Sequence, residues 1–172
     1  CTSQFGTIYG GKFYIVSKQE KDPGATVTGS RLAVIDAKTM KVLKEFTKIG
    51  DSDGRSFLGV DEHTGYIGTS NGIFLYDIDK MEIGEKISGT ENTSGSLYSA
   101  QIGTMIRVGD RVFAVHQKNG LLVIDAKTHT LETTILKPEE HEGHGLGSIV
   151  LSKDGTIWAS PTVELTGTGA SL

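Results

Sequence analysis

Three stretches of this sequence repeat one another, and the repeat limits what the chain can fold into. They align without a gap and cover residues 32–46, 73–87 and 121–135. Each stretch has an aspartate at its fifth position, Asp36, Asp77 and Asp125, so successive copies lie 41 and 48 residues apart. A period of about 40 to 50 residues is typical of supersecondary units that stack on their own copies.

Two shorter apolar runs precede the second and third stretches. In the second copy they are residues 56–60 and 66–69, and in the third copy residues 104–108 and 111–115. The pairs Asn71-Gly72 and Asn119-Gly120 then lead into the repeated stretch. An Asn-Gly pair predicts a two-residue hairpin turn in which both residues have positive φ. The sequence therefore predicts four strands in each repeat.

A four-stranded antiparallel unit that buries both faces against copies of itself is a blade of a β-propeller. We therefore predict an all-β fold with about three and a half blades. The predicted blades cover residues 5–49, 56–88 and 102–136, and the start of a fourth covers residues 147–160. Closed rings need about four to eight blades. Either the chain is a fragment of a longer protein, which we favour, or two copies assemble to cover the terminal blades.

The strand and turn of residues 32–39, Leu-Ala-Val-Ile-Asp-Ala-Lys-Thr, nearly recur at residues 121–128. This motif resembles the YVTN/YncE-like, surface-layer-type propellers, which have seven blades. Within that group it looks most like surface and periplasmic proteins of Bacteroidetes, some of which are similar to cobalamin-capturing lipoproteins. The resemblance implies half of a seven-bladed ring, an extracytoplasmic location, a corrinoid-like ligand and an outer-membrane transporter as a partner. The second copy departs from the motif at residues 78–80.

Charge and composition argue against several partners. The formal net charge is −4 and the pI is about 5.7, so there is no electrostatic reason to expect binding to nucleic acid. No run of about 18 apolar residues occurs, so we predict no membrane span. Cys1 is the single cysteine, which excludes a disulfide within the chain. Lipidation of Cys1 is not favoured, because residues 5–9 read as a strand where a polar spacer is expected.

In such a blade, the loops before the first strand and after the second strand lie on one face. We call this the loop face. It would collect residues 18–30, 50–55, 70–72, 88–101, 117–120 and 138–146. Loops that converge on a rigid scaffold are the usual place for binding. The candidate ligand-binding residues on it are Asp53, Arg55, Tyr98, Gln101, His116 and His144.

Some of these residues could take part in metal binding. His141 and His144 could share a metal if their loop folds tightly, but no third ligand is evident and a solvated histidine-rich loop explains them as well. Asp53 and Arg55 fit a turn stabilised by side-chain hydrogen bonds better than a calcium loop. His116 could approach the rim or could cap the end of its strand. The sequence identifies no cofactor.

Two further features are predicted to be structural. Asp36, Asp77 and Asp125 should accept backbone N–H bonds in tight turns on the face opposite the loop face. Trp158 should pack between blades rather than against a ligand.

The function predicted from the sequence is non-catalytic binding of a small molecule or a surface protein across the loop face. One alternative is a metal-dependent propeller hydrolase or lactonase that uses His144 and Asp53. The other is an adhesion or scaffold module. No nucleophile elbow, phosphate-binding loop or HExxH helix is present in the sequence.

Overall fold

The computed structural model of the chain describes residues 2–18, 30–49, 54–91, 101–137 and 145–161, which form β-strands joined by turns. Blade 1 contains β1 (Thr2–Tyr9), β2 (Lys12–Lys18), β3 (Ser30–Asp36) and β4 (Val42–Phe46). Blade 2 contains β5 (Gly54–Gly59), β6 (Thr64–Thr69), β7 (Gly72–Asp77) and β8 (Glu82–Lys86). Blade 3 contains β9 (Ile102–Val108), β10 (Arg111–His116), β11 (Gly120–Asp125) and β12 (Thr130–Ile135). Blade 4 is described by β13 (Leu146–Leu151) and β14 (Ile157–Pro161).

Within each blade the strands pair antiparallel in the order in which they occur along the chain. The fold is a β-propeller with three four-stranded blades and a partial fourth, which confirms the fold predicted from the repeat. In the described part of the chain, no helix is long and apolar enough to cross a membrane.

Both faces of a blade are apolar, and this is why the blades stack. In β10, Val112 and Ala114 lie in the core cluster shared with blade 2. Their neighbours Phe113 and Val115 lie in a cluster shared with blade 4. Alternate side chains of a strand point to opposite faces, so the run of apolar residues in β10 serves two junctions at once.

The Asn-Gly turns differ from the prediction. Thr69 pairs directly with Gly72, so the central residues of that turn are Ser70 and Asn71. Among these only Gly72 has positive φ, at 107°, and Gly120 repeats this value in blade 3. The prediction that both residues of each pair have positive φ was therefore wrong. Glycine is needed for another reason: a Cβ atom at Gly120 would lie 2.6 Å from the carbonyl oxygen of Ile135 on the outermost strand.

The repeated aspartates have the predicted structural role. One carboxylate oxygen of Asp125 accepts the backbone N–H groups of Lys127 and Thr128, each at 2.8 Å. Asp36 accepts the equivalent bonds from Lys38 and Thr39. The bond from the backbone of Thr128 is the main cause that lowers the pKa of Asp125.

The residue that ends each of these turns has a left-handed backbone conformation, with positive φ. Met40, Met81 and His129 lie four positions after the aspartates and have φ of 57°, 53° and 55°. Outside glycine and asparagine this conformation is uncommon. Its recurrence at three equivalent positions shows that the turn has one geometry in all three blades.

Candidate ligand-binding face

The strand register places the predicted loops on one face of each blade. Thr2 at the start of β1 pairs with Lys18 at the end of β2, which pairs with Ser30 at the start of β3. In blade 3, Ile102 pairs with His116 and His116 with Gly120. The aspartate turns lie at the other ends of the same strands. The loop face and the aspartate-turn face are therefore opposite each other.

Each first strand has a bulge close to the loop face. In blade 2 the pairing steps from Gly54 to Ser56 on β5 while it moves by one residue on β6, so Arg55 is the extra residue. In the same way Gln4 is the extra residue of β1 and Gly147 of β13, and β9 has one extra residue between Ile102 and Met105. Bulges redirect side chains and are frequent beside binding sites.

His116 lies below the loop face rather than on it. Its side chain is fully buried, and the Nδ1 atom accepts the backbone N–H groups of Lys118 at 3.3 Å and Asn119 at 3.1 Å. This leaves the proton of the neutral ring on Nε2, which is buried and has no hydrogen-bond partner among the described residues. Burial lowers the pKa of His116 to about 4. The geometry is that of the strand-end cap.

The same position is polar and buried in all three complete blades. Ser17, Thr69 and His116 lie at the same distance from the first residue of their second strands; Thr69 and His116 end theirs, and Ser17 lies one residue before the end of β2. In blade 2 the Thr69 hydroxyl accepts the N–H of Asn71 at 3.1 Å, as His116 accepts that of Asn119. An alignment of the repeats places His116 at the position of the Thr69 cap in blade 2.

Gln101 and Asn119 join neighbouring loops of this face. The carbonyl of Gln101 accepts the N–H of Gln117 at 3.1 Å, which ties the loop before β9 to the loop after β10. The side chain of Asn119 donates to the carbonyl of Glu91 at 3.4 Å, which links blade 3 to the end of blade 2. The Asn-Gly pattern predicts Asn119 only as a turn residue and does not indicate this link. Arg55 and Gln101 are both partly exposed.

Asp53, Tyr98, His141 and His144 lie outside the described residues. Of the predicted site residues, the structure thus locates Arg55, Gln101 and His116. Within the ranges that the structure describes, no group of three or more His, Cys, Asp or Glu side chains could hold a metal ion.

The aspartate-turn face carries two polar contacts that involve histidines. There the Tyr66 hydroxyl lies 2.8 Å from Nδ1 of His129 in the next blade, and burial is the main cause that raises the pKa of Tyr66. His63 pairs with Asp79 at 2.6 Å, and this contact raises the pKa of the imidazole. These groups connect or brace blades and lie far from the loops proposed for binding.

The solved structures that this chain resembles share its fold. The chain is 11% identical to the computationally designed Ika4 protein, with a TM-score of 0.62 over 93% of this chain and 91% of that one. The computationally designed Ika8 protein is 12% identical to this chain, with a TM-score of 0.61 over 93% of this chain and 46% of that one. The extracellular domain of the putative hybrid two component system BT3049 from B. thetaiotaomicron is 18% identical, with a TM-score of 0.59 over 92% of this chain and 19% of that one.

These structural likenesses show the fold, a β-propeller, and no more. None of the curated proteins compared with the chain matches it. The family is shown by a sequence match over nearly the whole chain. Residues 1–169 match the family described as "Domain of unknown function (DUF5074)", and the chain belongs to that family.

Proposed function

We propose that this chain is a non-catalytic binding module that works outside the cytoplasm and captures a small molecule or a partner protein across its loop face. The observation that carries the proposal is the bulge that recurs near the start of each first strand, at Gln4, Arg55, β9 and Gly147. Four such bulges point irregular backbone toward one face of a rigid scaffold. Loops held in this way are the usual place for recognition in this kind of fold.

The location outside the cytoplasm is supported by two likenesses. The repeated strand and turn resembles surface and periplasmic YVTN-type propellers, and the extracellular domain of BT3049 shares the fold. Recovery of the native protein in the cytoplasmic fraction of its host cells would contradict this part of the proposal.

For the ligand, the resemblance to cobalamin-capturing propellers suggests a corrinoid, delivered to an outer-membrane transporter. The test is equilibrium dialysis of the chain against cyanocobalamin, read by visible absorbance. We expect retention by the unmodified chain and at least a tenfold weaker affinity in Arg55→Ala, which removes the cation at the bulge of β5. Lys127→Ala, on the aspartate-turn face, is the matched control and should bind normally.

Thermal unfolding of each variant shows whether a loss of binding reflects a loss of fold. Absence of cyanocobalamin retention by the well-folded chain would exclude corrinoid capture. Equal weakening by Arg55→Ala and Lys127→Ala would exclude the loop face as the binding surface.

A further inference from the structure

One aromatic residue on each second strand packs against the following blade. Lys12, Thr64 and Arg111 pair with the repeated aspartates, so the residues two positions further along, Tyr14, Tyr66 and Phe113, are equivalent. All three lie in clusters that include the first strand of the next blade. Tyr14 stacks on Phe57 with ring centroids 3.9 Å apart and planes at 6°.

Trp158 is the fourth member of this series. It pairs with Val150 as Phe113 pairs with Ile106, and the preceding pairs Ile149 with Ala159 and Met105 with Ala114 correspond as well. Yet Trp158 is 64% exposed and Val150 is 60% exposed. The prediction that Trp158 packs between blades is not met within the described residues, which contain no blade after blade 4. In the complete blades, the side that carries the equivalent aromatic residue packs against the following blade. We call this side the forward face, and Trp158 lies on the forward face of blade 4.

Blade 1 presents the matching rear face, which is the side that packs against the preceding blade in blades 2 and 3. In blade 2 the ring of Phe57, which receives Tyr14, covers Gly65: a Cβ atom there would lie 2.6 Å from the ring. In blade 1 the aromatic residue and the glycine have changed strands: the ring, Phe13, lies on β2 and the glycine, Gly6, on β1. A Cβ atom at Gly6 would lie 2.7 Å from the Phe13 ring. Blade 1 therefore also presents an aromatic ring flanked by glycine on the side turned away from blade 2.

Other residues of this rear face are exposed where their equivalents are packed. Ile8 on β1 is 69% exposed. Met40 is 67% exposed, whereas the equivalent Met81 packs into the cluster around Tyr14, and the equivalent His129 bonds Tyr66. Exposed apolar residues gathered on one face mark an interaction surface.

The number of repeats alone favours a fragment of a longer protein over an assembly of two copies. From the two faces described above we propose the assembly: the Trp158 face of one copy of this chain packs against the blade 1 face of a second copy, which continues the junction that already repeats inside the chain. Trp158 would lie on the Phe13 ring of the partner, as Tyr14 lies on Phe57, with the larger indole opposite the smaller Gly6. Met40 of the partner would cover its edge, a favourable contact between sulfur and an aromatic ring.

The strands needed for this contact are all described. Inside the chain, the first strand of a following blade contacts the first and second strands of the blade before it, as β5 contacts β1 and β2. Blade 4 supplies its first and second strands, β13 and β14, and the second copy supplies β1. Because each copy has one forward and one rear face, two junctions related by a two-fold axis would close a pair of chains.

The chain contains a single tryptophan, so its fluorescence reports the contact directly. We expect sedimentation of the 172-residue chain at micromolar concentration to give twice 18.4 kDa. The emission maximum of Trp158 should shift to shorter wavelength as the concentration rises, with the same midpoint as the change in mass. A monomer at all concentrations, or emission that stays at the wavelength of exposed tryptophan, overturns the proposal and leaves further blades of a longer chain as the cover.

Variants locate the junction. Trp158→Ala and Ile8→Lys, on the two opposite faces, should each weaken association by about 30-fold or more, because central aromatic residues dominate interfaces. Ile135→Ala removes a residue that is 42% exposed on the outer strand of blade 3, in neither face, and should associate normally. Association that survives both interface changes would overturn the proposal. None of these positions lies on the loop face, so the result is independent of ligand binding.

Discussion

Two tyrosines at the same position of successive blades differ in what their hydroxyl groups contact. The Tyr66 hydroxyl bonds Nδ1 of His129 at 2.8 Å, whereas the buried hydroxyl of Tyr14 has no partner among the described residues. The difference follows from the next blade, where Met81 stands at the position of His129. One junction thus contains a hydrogen bond, and its neighbour leaves a polar group buried without one.

This contrast predicts opposite effects of the same substitution. Tyr66→Phe should lower the free energy of unfolding by about 1 kcal/mol, the usual net value of a hydrogen bond. Tyr14→Phe should cost nothing or add stability, because it removes an unsatisfied polar group. Urea unfolding of both variants checks this, and an equal loss in the two would show that the Tyr14 hydroxyl has a partner after all.

His116 should make the stability of the fold depend on pH. Its pKa is 6.5 when exposed and about 4 in the fold, so the unfolded chain binds more protons between these values. The free energy of unfolding should therefore fall as the pH decreases from about 6.5 to 4, by up to about 3 kcal/mol. Urea unfolding measured across this range gives the slope.

His116→Thr is the control for that slope, since threonine caps the same turn in blade 2. The variant should lose the part of the slope that comes from the imidazole, whatever its absolute stability. His63 acts with the opposite sign, because Asp79 raises its pKa, so its contribution is present below pH 6.5 and is lost as the pH rises. An unchanged slope in His116→Thr would mean that this imidazole ionises freely in the folded protein.

Among the strands and turns, the glycines differ sharply in what they tolerate. Gly120 combines φ of 107° with a carbonyl 2.6 Å from where a Cβ atom would lie, whereas at Gly103 the nearest atom would be 3.4 Å away. Gly120→Ala should destabilise the protein by about 2 kcal/mol or more. Gly103→Ala should stay within about 1 kcal/mol of the parent protein, and thermal unfolding of the pair measures the difference. Similar losses in both would refute the steric explanation.

The strands could be predicted because their signals are local. Short apolar runs and the Asn-Gly turns between them predicted the number of strands per blade, and the order of strands in a blade predicted the face on which each loop lies. The Asn71-Gly72 turn was predicted wrongly because the need for Gly72 comes from the outermost strand and from Thr90, which are distant in sequence. Whether His116 caps its strand or reaches the rim could not be predicted for a similar reason: its burial is a property of the folded blade and not of the local sequence.

For the molecule as a whole, stability should be uneven along the chain. β11 is buried along nearly its whole length between two neighbouring strands, whereas β14 is described with a single neighbour and carries the exposed Trp158. Local opening is easiest where few contacts must break. We expect backbone amides of β14 to exchange with deuterium at least about tenfold faster than those of β11 in dilute solution. Equal protection would show that blade 4 opens together with blade 3.

The candidate site was less predictable than the fold. Arg55 and Gln101 lie on the expected face because strand order alone decides which loops meet there. Which side chains make up a binding surface depends on how separate loops pack together, and no local pattern encodes that. Asp53, Tyr98, His141 and His144, all outside the described residues, therefore stay predictions.

The bulges also divide each first strand into a part that packs the blades and a part that lies at the loop face. An extra residue shifts the alternation of side chains, so positions before the bulge need not follow the inward and outward pattern that packs the blades. In β5, Ser56 and Phe57 directly after Arg55 are buried, whereas Arg55 itself is partly exposed. Side chains at this rim can therefore be exchanged for others while the scaffold beneath keeps its packing, so members of one family can differ at this face and still share the fold.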